Sequence, residues 1–340
     1  MKKIKHFKSI NISDQQLWKE SIKHMRISQC LYPGCKNKDI IKSHALQNNG
    51  IISKLSENNQ VCMPIISRGT TAPLDKRFGK ELGLIGKNKA TTFTGFCKEH
   101  DDKLFSRIEK KEWIPDGPSL FLFTYRTICS ELQTKQELVK RIDYIRDKKF
   151  INVNKLPSYE RKDYQLYKLA ISDLLRVKTK FDFYLKNKNT EIPIAGTVWN
   201  MPKANFAISG YYIPYYDFDG KLLNNRFAKI DYPIFVNILP YRNMTLVLLI
   251  VYKEDYEEIY RDYFKKIESL SLTQKEIFLT NVSIKSSDNL IINPKSARKL
   301  NSKQVKIIEG VNNDEDIGLE VLTHSPAIYL ENKGLNLFEI

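Results

Sequence analysis

Two short motifs in the first third of the chain carry residue types that bind a soft divalent metal. Cys30-Leu31-Tyr32-Pro33-Gly34-Cys35 is a C-x4-C pair, and Cys97-Lys98-Glu99-His100 is a C-x2-H pair. Spacings of two to four residues are those of structural zinc knuckles, because one tight turn then aims both donors at a single point. Pro33 and Gly34 supply such a turn. Two thiolates from one knuckle, with a thiolate and an imidazole from the other, complete a tetrahedral Cys3His set suited to Zn2+. Three of the five cysteines fall in these motifs, which favours a metal site over cysteines that act as small buried hydrophobes. Cys62 and Cys129 lie in apolar surroundings, Val61-Cys62-Met63 and Ile128-Cys129, and read as core residues, with Cys62 kept as a substitute ligand.

His44 closes a short β-like run, Ile40-Ile41-Lys42-Ser43-His44, nine residues after Cys35. Alone it could be a fifth ligand, a packed histidine or a general base, since a neutral imidazole takes a proton near pH 7. Asp101 and Asp102 follow His100 directly, where the pattern predicts the first turn of a helix. Carboxylates there complement the helix N-terminus, which is the reading for Asp102. For Asp101 a cap and a ligand for a hard divalent cation both stand.

The order Cys-x4-Cys, Ser-His on a strand, then Cys-x2-His followed by Asp resembles zinc-containing HNH endonucleases of the ββα-metal type, over about 80 of the 340 residues. The resemblance implies an N-terminal ββα-type module stapled by structural zinc on Cys30, Cys35, Cys97 and His100. It makes His44 the base that deprotonates water. It puts Asp101 where that family has the Asn or His that holds a catalytic Mg2+ or Mn2+. Ser43 stands where the family usually has Asp or His, and the family's middle Asn has three candidates, Asn58, Asn59 and Asn88. The insertion from about Arg68 to Lys89 lengthens the module beyond the compact family version. The implied function is metal-dependent hydrolysis of nucleic acid, DNA more than RNA, with bacterial antiviral defence as an analogy; five cysteines without a disulfide framework make a cytoplasmic, reduced protein the expectation. The alternative is a zinc module that binds nucleic acid or a protein partner without cutting.

Charge agrees with a polyanionic partner. The chain carries 55 Lys and Arg against 39 Asp and Glu, a net +16, and such a balance speaks to association rather than to chemistry. Residues 1–50 hold ten basic side chains against Asp14, Glu20 and Asp39, a surplus of seven beside the metal motif. Lys42, Arg68, Lys76, Arg77, Lys80, Lys87 and Lys89 are the candidate contacts to a phosphate backbone; a solvated basic loop is the other reading of the insertion. No G-x4-G-K-[ST] run is present, so nucleotide hydrolysis is not expected. The longest apolar stretch, Met244 to Tyr252, is too short to span a bilayer, and no secretory leader is expected.

Three segments must position these residues. A basic leader with a short helix occupies 1–29, with Ser13 as its N-cap. The zinc module occupies 30–114, ending at the breaker cluster Pro115, Gly117 and Pro118. Residues 115–340 read as an α+β region that could receive a partner or activator. There, helical spacing runs from Ser119 to about Lys149 and from about Tyr159 to Lys186. Strands are predicted at Ile194–Trp199, Phe206–Tyr215, Pro233–Leu239 and Thr245–Tyr252, the last two as a hairpin. Helices are predicted at Glu254–Ile267, Thr273–Val282 and Pro294–Glu309. The fold class is thus α+β, with a helical segment before a mixed, largely antiparallel sheet. His324 is a lone histidine assigned no role.

Overall fold

The computed structural model describes residues 14–66, 80–110, 113–149, 158–187, 191–225, 230–286, 289–310 and 329–340. Arg68, Lys76, Arg77 and His324, and the cap expected at Ser13, lie outside these residues. The fold is mixed α/β with antiparallel sheets. Among the described residues no helix is long and apolar enough to cross a membrane.

The chain opens with α1 (Asp14–Met25) and the Cys30–Cys35 knuckle, then β1 (Ile41–His44). A π-helical turn (Asn48–Ile52) leads into α2 (Ser53–Leu55), followed by β2 (Gln60–Ile66), β3 (Lys80–Gly86), β4 (Thr92–Phe96) and α3 (Lys98–Glu109). β1 and β4 form their own antiparallel pair, with Ser43 opposite Phe93 and His44 opposite Thr92. β3 has no counterpart among the predicted strands. Its Lys-Glu-Leu-Gly-Leu-Ile-Gly run carries two glycines that weaken strand propensity. Gly83 sits opposite Met63, however, where a Cβ would meet Ile65 Cδ1 at 2.7 Å, so the glycine leaves room for the Ile65 side chain across the ladder.

Two long helices follow, α4 (Gly117–Lys149) and α5 (Ser158–Lys186). Asp116 starts α4 by accepting from Ser119 N at 3.0 Å and is also paired with Arg107 of α3. Then come β5 (Ile194–Met201), β6 (Phe206–Tyr212), β7 (Ile234–Tyr241) and β8 (Met244–Tyr252). β7 and β8 are the expected hairpin, with Tyr241 opposite Met244 and Arg242 in the left-handed region at φ 51°. The helix expected over Glu254–Ile267 is α6 (Lys253–Asp255), a π-helical turn (Tyr256–Tyr260) and α7 (Arg261–Ser269); α8 (Leu272–Ser286) follows. After β9 (Ile291–Ile292), the single helix expected over Pro294–Glu309 is two, α9 (Pro294–Ala297) and α10 (Ser302–Glu309). The break falls at Asn301, whose side chain caps α10 in a capping box with Gln304.

The main sheet has seven strands in the order β3-β2-β9-β6-β7-β8-β5. β2 and β3, from before Pro115, join strands from the C-terminal half through β9, where Cys62 pairs with Ile292. Period-two alternation builds two cores. Phe235, Leu239, Leu246, Leu248 and Ile250 face α4, α5 and the zinc region, while Ile234, Val236, Ile238, Val247 and Leu249 face α7 and α8. On the first face Asn237 and Ser209 bond Thr127 of α4 at 3.1 and 2.8 Å, which fixes that helix to the sheet. α4 therefore stands as a rigid wall against which β4 and α3 are set.

Candidate metal centre and the surroundings of His44

The four knuckle residues converge. The ligand atoms of Cys30, Cys35, Cys97 and His100 all lie within 4.8 Å of one another. Pro33 and Gly34 are the centre of a type II turn, with Gly34 at φ 83° and Cys35 N donating to Tyr32 O at 3.1 Å. Leu31 N donates to Gly95 O at 2.8 Å and so ties this knuckle to β4. Cys97 is the N-cap of α3, and His100 lies one turn on, on the same face.

His100 points Nδ1 into the cluster, 3.2 Å from Cys97 Sγ and 3.7 Å from Cys30 Sγ. Donors around a tetrahedral zinc sit about 3.5–3.8 Å apart, given Zn–S near 2.3 Å and Zn–N near 2.1 Å. The Cys97 and Asn37 amides donate to the sulfurs of Cys30 and Cys35, both at 3.4 Å, and Tyr32 stacks on the His100 ring at 4.0 Å. These contacts orient the donors as ligand-supporting groups do. Burial pushes the Cys30 thiol up to about 11, against the backbone contacts of Cys97 and Tyr32; a bound cation is what restores the thiolate in such a place. The group could therefore hold a metal ion such as zinc. Cys62 and Cys129 stay outside it and are buried, which raises their thiols to about 11 and about 12.

His44 is not part of the Cys3His group. It ends β1, half-buried, and its pKa is lowered by burial, against the pull of Glu109 and with the push of Arg126. The Lys87 backbone carbonyl and Asp101 also act on the ring and favour its charged form. Asp101 lies in the first turn of α3, its carboxyl raised by burial and drawn back by the Ser43 hydroxyl and by Arg126. The strand end and the helix start thus bring His44 and Asp101 into one electrostatic neighbourhood. Asn48 Nδ2 bonds Asn88 Oδ1 at 3.0 Å, joining the turn after β1 to the loop that carries Lys87. Asn58 and Asn59 instead form the β2 turn, at φ 50° and 58°.

Comparison with protein-family models, with curated proteins and with solved structures returned no match. What the site can do rests on its own geometry.

Arg126 acts electrostatically on both His44 and Asp101, and no sequence motif marks it. It sits on α4 with 2% exposure, its guanidinium 4.2 Å above the Phe105 ring and its Nη2 2.5 Å from Glu109 Oε1. Its Nε and Nη1 are buried with no hydrogen-bond partner among the described residues, as are His44 Nε2 and Asp101 Oδ1. The one available signal is a single arginine inside the apolar run Leu120–Cys129, where a charge is expensive unless it is used. Of the candidate backbone contacts, Lys42 and Lys89 are exposed, Lys87 is half-buried with Nζ 3.4 Å from Ser53 Oγ, and Lys80 begins β3. Asp102 is exposed.

Proposed function

We propose that the chain is a metal-dependent nucleic-acid endonuclease whose β1–β4–α3 unit is a zinc-stapled ββα module of the HNH kind. The observation that carries the reading is the set of unfilled polar atoms around His44. His44 Nε2, Asp101 Oδ1 and Arg126 Nε and Nη1 are buried without partners among the described residues. Buried polar groups are ordinarily satisfied, and exceptions concentrate where a ligand completes them. An imidazole acceptor, a carboxylate and a guanidinium fork are the complement of a water, a hard cation and a phosphodiester.

In this reading His44 takes the proton from the attacking water at Nε2. Burial keeps the ring neutral near pH 7, and the Lys87 carbonyl fixes its direction. Asp101 holds a divalent ion of the Mg2+ class, whose charge, when it is bound, offsets the negative charge that develops on the phosphate. Arg126 presents its two free donors to a phosphate oxygen and stands fixed by Glu109 and Phe105, so little reorganisation is needed during reaction. Zinc at Cys30, Cys35, Cys97 and His100 carries no part of the chemistry; it sets the angle between the strand pair and α3.

Supercoiled plasmid incubated with the purified protein and Mg2+ or Mn2+ is expected to be nicked and linearised, with no reaction when these ions are withheld. Intact plasmid under every metal condition, with DNA still bound, would instead identify a binding module, a reading that Ser43 favours by leaving the usual second carboxylate out.

A further inference from the structure

A second basic site lies apart from the residues named so far. A pocket of about 570 Å3 opens between α2, the start of β6, the β7–β8 turn and α9. Among the described residues its lining includes five cations, Lys54, Lys203, Arg242, Lys295 and Lys299, and not one Asp or Glu. Four of the five have no carboxylate within ion-pair reach among the described residues. The exception is Lys295, whose Nζ is 3.8 Å from Glu57, an acid already bonded to Arg298 at 2.6 Å. Five exposed like charges around one concavity make a positive potential that attracts a polyanion.

A few contacts link the elements that line the pocket to those around His44. Lys87, whose carbonyl acts on His44, reaches Ser53 Oγ at 3.4 Å, and Lys54 is the next residue. Leu55 O accepts from Asn293 Nδ2 at 3.0 Å and so joins α2 to the α9 wall. On the other side Tyr241 Oη donates to Trp113 O at 3.1 Å, close after α3, and Arg242 follows it at the pocket rim. Lys87 and Lys54 thus lie on the elements that join His44 to the pocket. Aromatic faces for base stacking are absent from the lining, which offers Leu55, Pro240 and Met244 as its apolar part; this favours contact with the backbone over reading of bases.

We infer that this pocket binds the phosphodiester backbone of the nucleic acid that flanks the cut site, and so sets affinity and strand direction. The inference rests on the nucleic-acid reading above. The test is fluorescence anisotropy of a labelled 30-base-pair duplex in Ca2+, with salt titrated, for wild type and for the combined variant Lys54→Gln, Lys203→Gln and Lys299→Gln. A matched control carries Lys168→Gln, Lys180→Gln and Lys186→Gln on α5, and thermal melting checks that both fold. Each neutralised phosphate adds about 0.9 to the log–log salt slope through counterion release. Removing three cations is therefore expected to lower the slope by about 2–3 and the affinity by on the order of 10–100-fold. The control is expected to stay within about threefold of wild type.

Equal affinity and slope in the pocket variant, with wild type binding well, overturns the pocket and leaves the endonuclease reading intact. Absence of any binding by wild type overturns both. Pyrophosphate that protects the wild type against heat but not the variant, with duplex affinity unchanged between them, assigns the site to a small phosphate ligand and overturns the backbone occupant. Weakened binding in the pocket variant, in a protein that never cuts, keeps the pocket while the nuclease reading falls.

Discussion

At the scale of residues, the site is defined by atoms whose hydrogen-bonding capacity is unspent. Arg126 is the sharpest case. Its burial is compensated on one side by Glu109 and the Phe105 face, and on the other side by nothing among the described residues. A guanidinium retained at that cost in a packed core contributes through what it binds rather than through stability. Arg126→Gln is expected to lower the single-turnover cleavage rate by roughly 10²–10³-fold, the usual effect of removing one preorganised donor, while zinc content stays at wild-type level. Arg126→Lys keeps the charge without the fork and is expected to recover only part of the rate. Wild-type cleavage by Arg126→Gln would make the arginine a packing residue.

At the scale of elements, two places carry sharp expectations. Asp173 of α5 is 3% exposed and faces the segment before β7, accepting from Asp231 N at 3.1 Å. Burial pushes its carboxyl up to about 7, against the hydrogen bond from the Asp231 backbone N–H and the Arg176 charge, while the Asp231 carboxylate adds to the rise. The folded state therefore binds this proton more tightly than the unfolded chain, whose carboxyl titrates near 4. That preference stabilises the fold at low pH and is lost as pH rises from about 4 to about 7. Asp173→Asn keeps the acceptor and removes the charge, and is expected to raise stability at pH 8 by about 1–4 kcal/mol and to flatten the decline over that window. Urea unfolding at pH 5 and pH 8 measures it; a variant no more stable than wild type at pH 8 would contradict the assignment.

The second place is β5, the edge of the main sheet. Gly196 lies opposite Ile250 at φ 142°, and a Cβ there would stand 2.0 Å from Leu249 O. Gly196→Ala must therefore shift either strand, at an expected cost of about 2 kcal/mol or more. Zinc content is expected to be unchanged, because β5 lies at the far end of the sheet from β2 and β3. Urea unfolding with metal analysis of the same sample checks both halves of that statement.

At the scale of the whole molecule, what can be read from the sequence depends on how local its cause is. The Cys3His set is legible because each pair lies within one turn, so spacing brings each pair together and the residue types point to one shared metal, although the meeting of the two pairs is tertiary. Likewise the α4 and α5 helices and the β7–β8 hairpin follow from periodicity over a few residues. His44 beside Asp101 is reached only through the resemblance, since a strand end and a helix start more than fifty residues apart have no local signal. Arg126 escapes for the same reason: its partners Glu109 and Phe105 lie on α3, and its own neighbourhood in the chain is an ordinary apolar helix. The joining of β2 to β9 across some two hundred residues, and the basic pocket assembled from four separate segments, are likewise products of tertiary packing.

The most direct test of the endonuclease reading is plasmid cleavage by wild type, His44→Ala and Asp101→Ala with Mg2+ or Mn2+, with zinc measured in each sample. The expected result is metal-dependent cutting by wild type, none by either variant, and about one zinc per chain in all three. Cutting that survives in His44→Ala, or zinc that is absent from it, would contradict this mechanism and return His44 to a structural role.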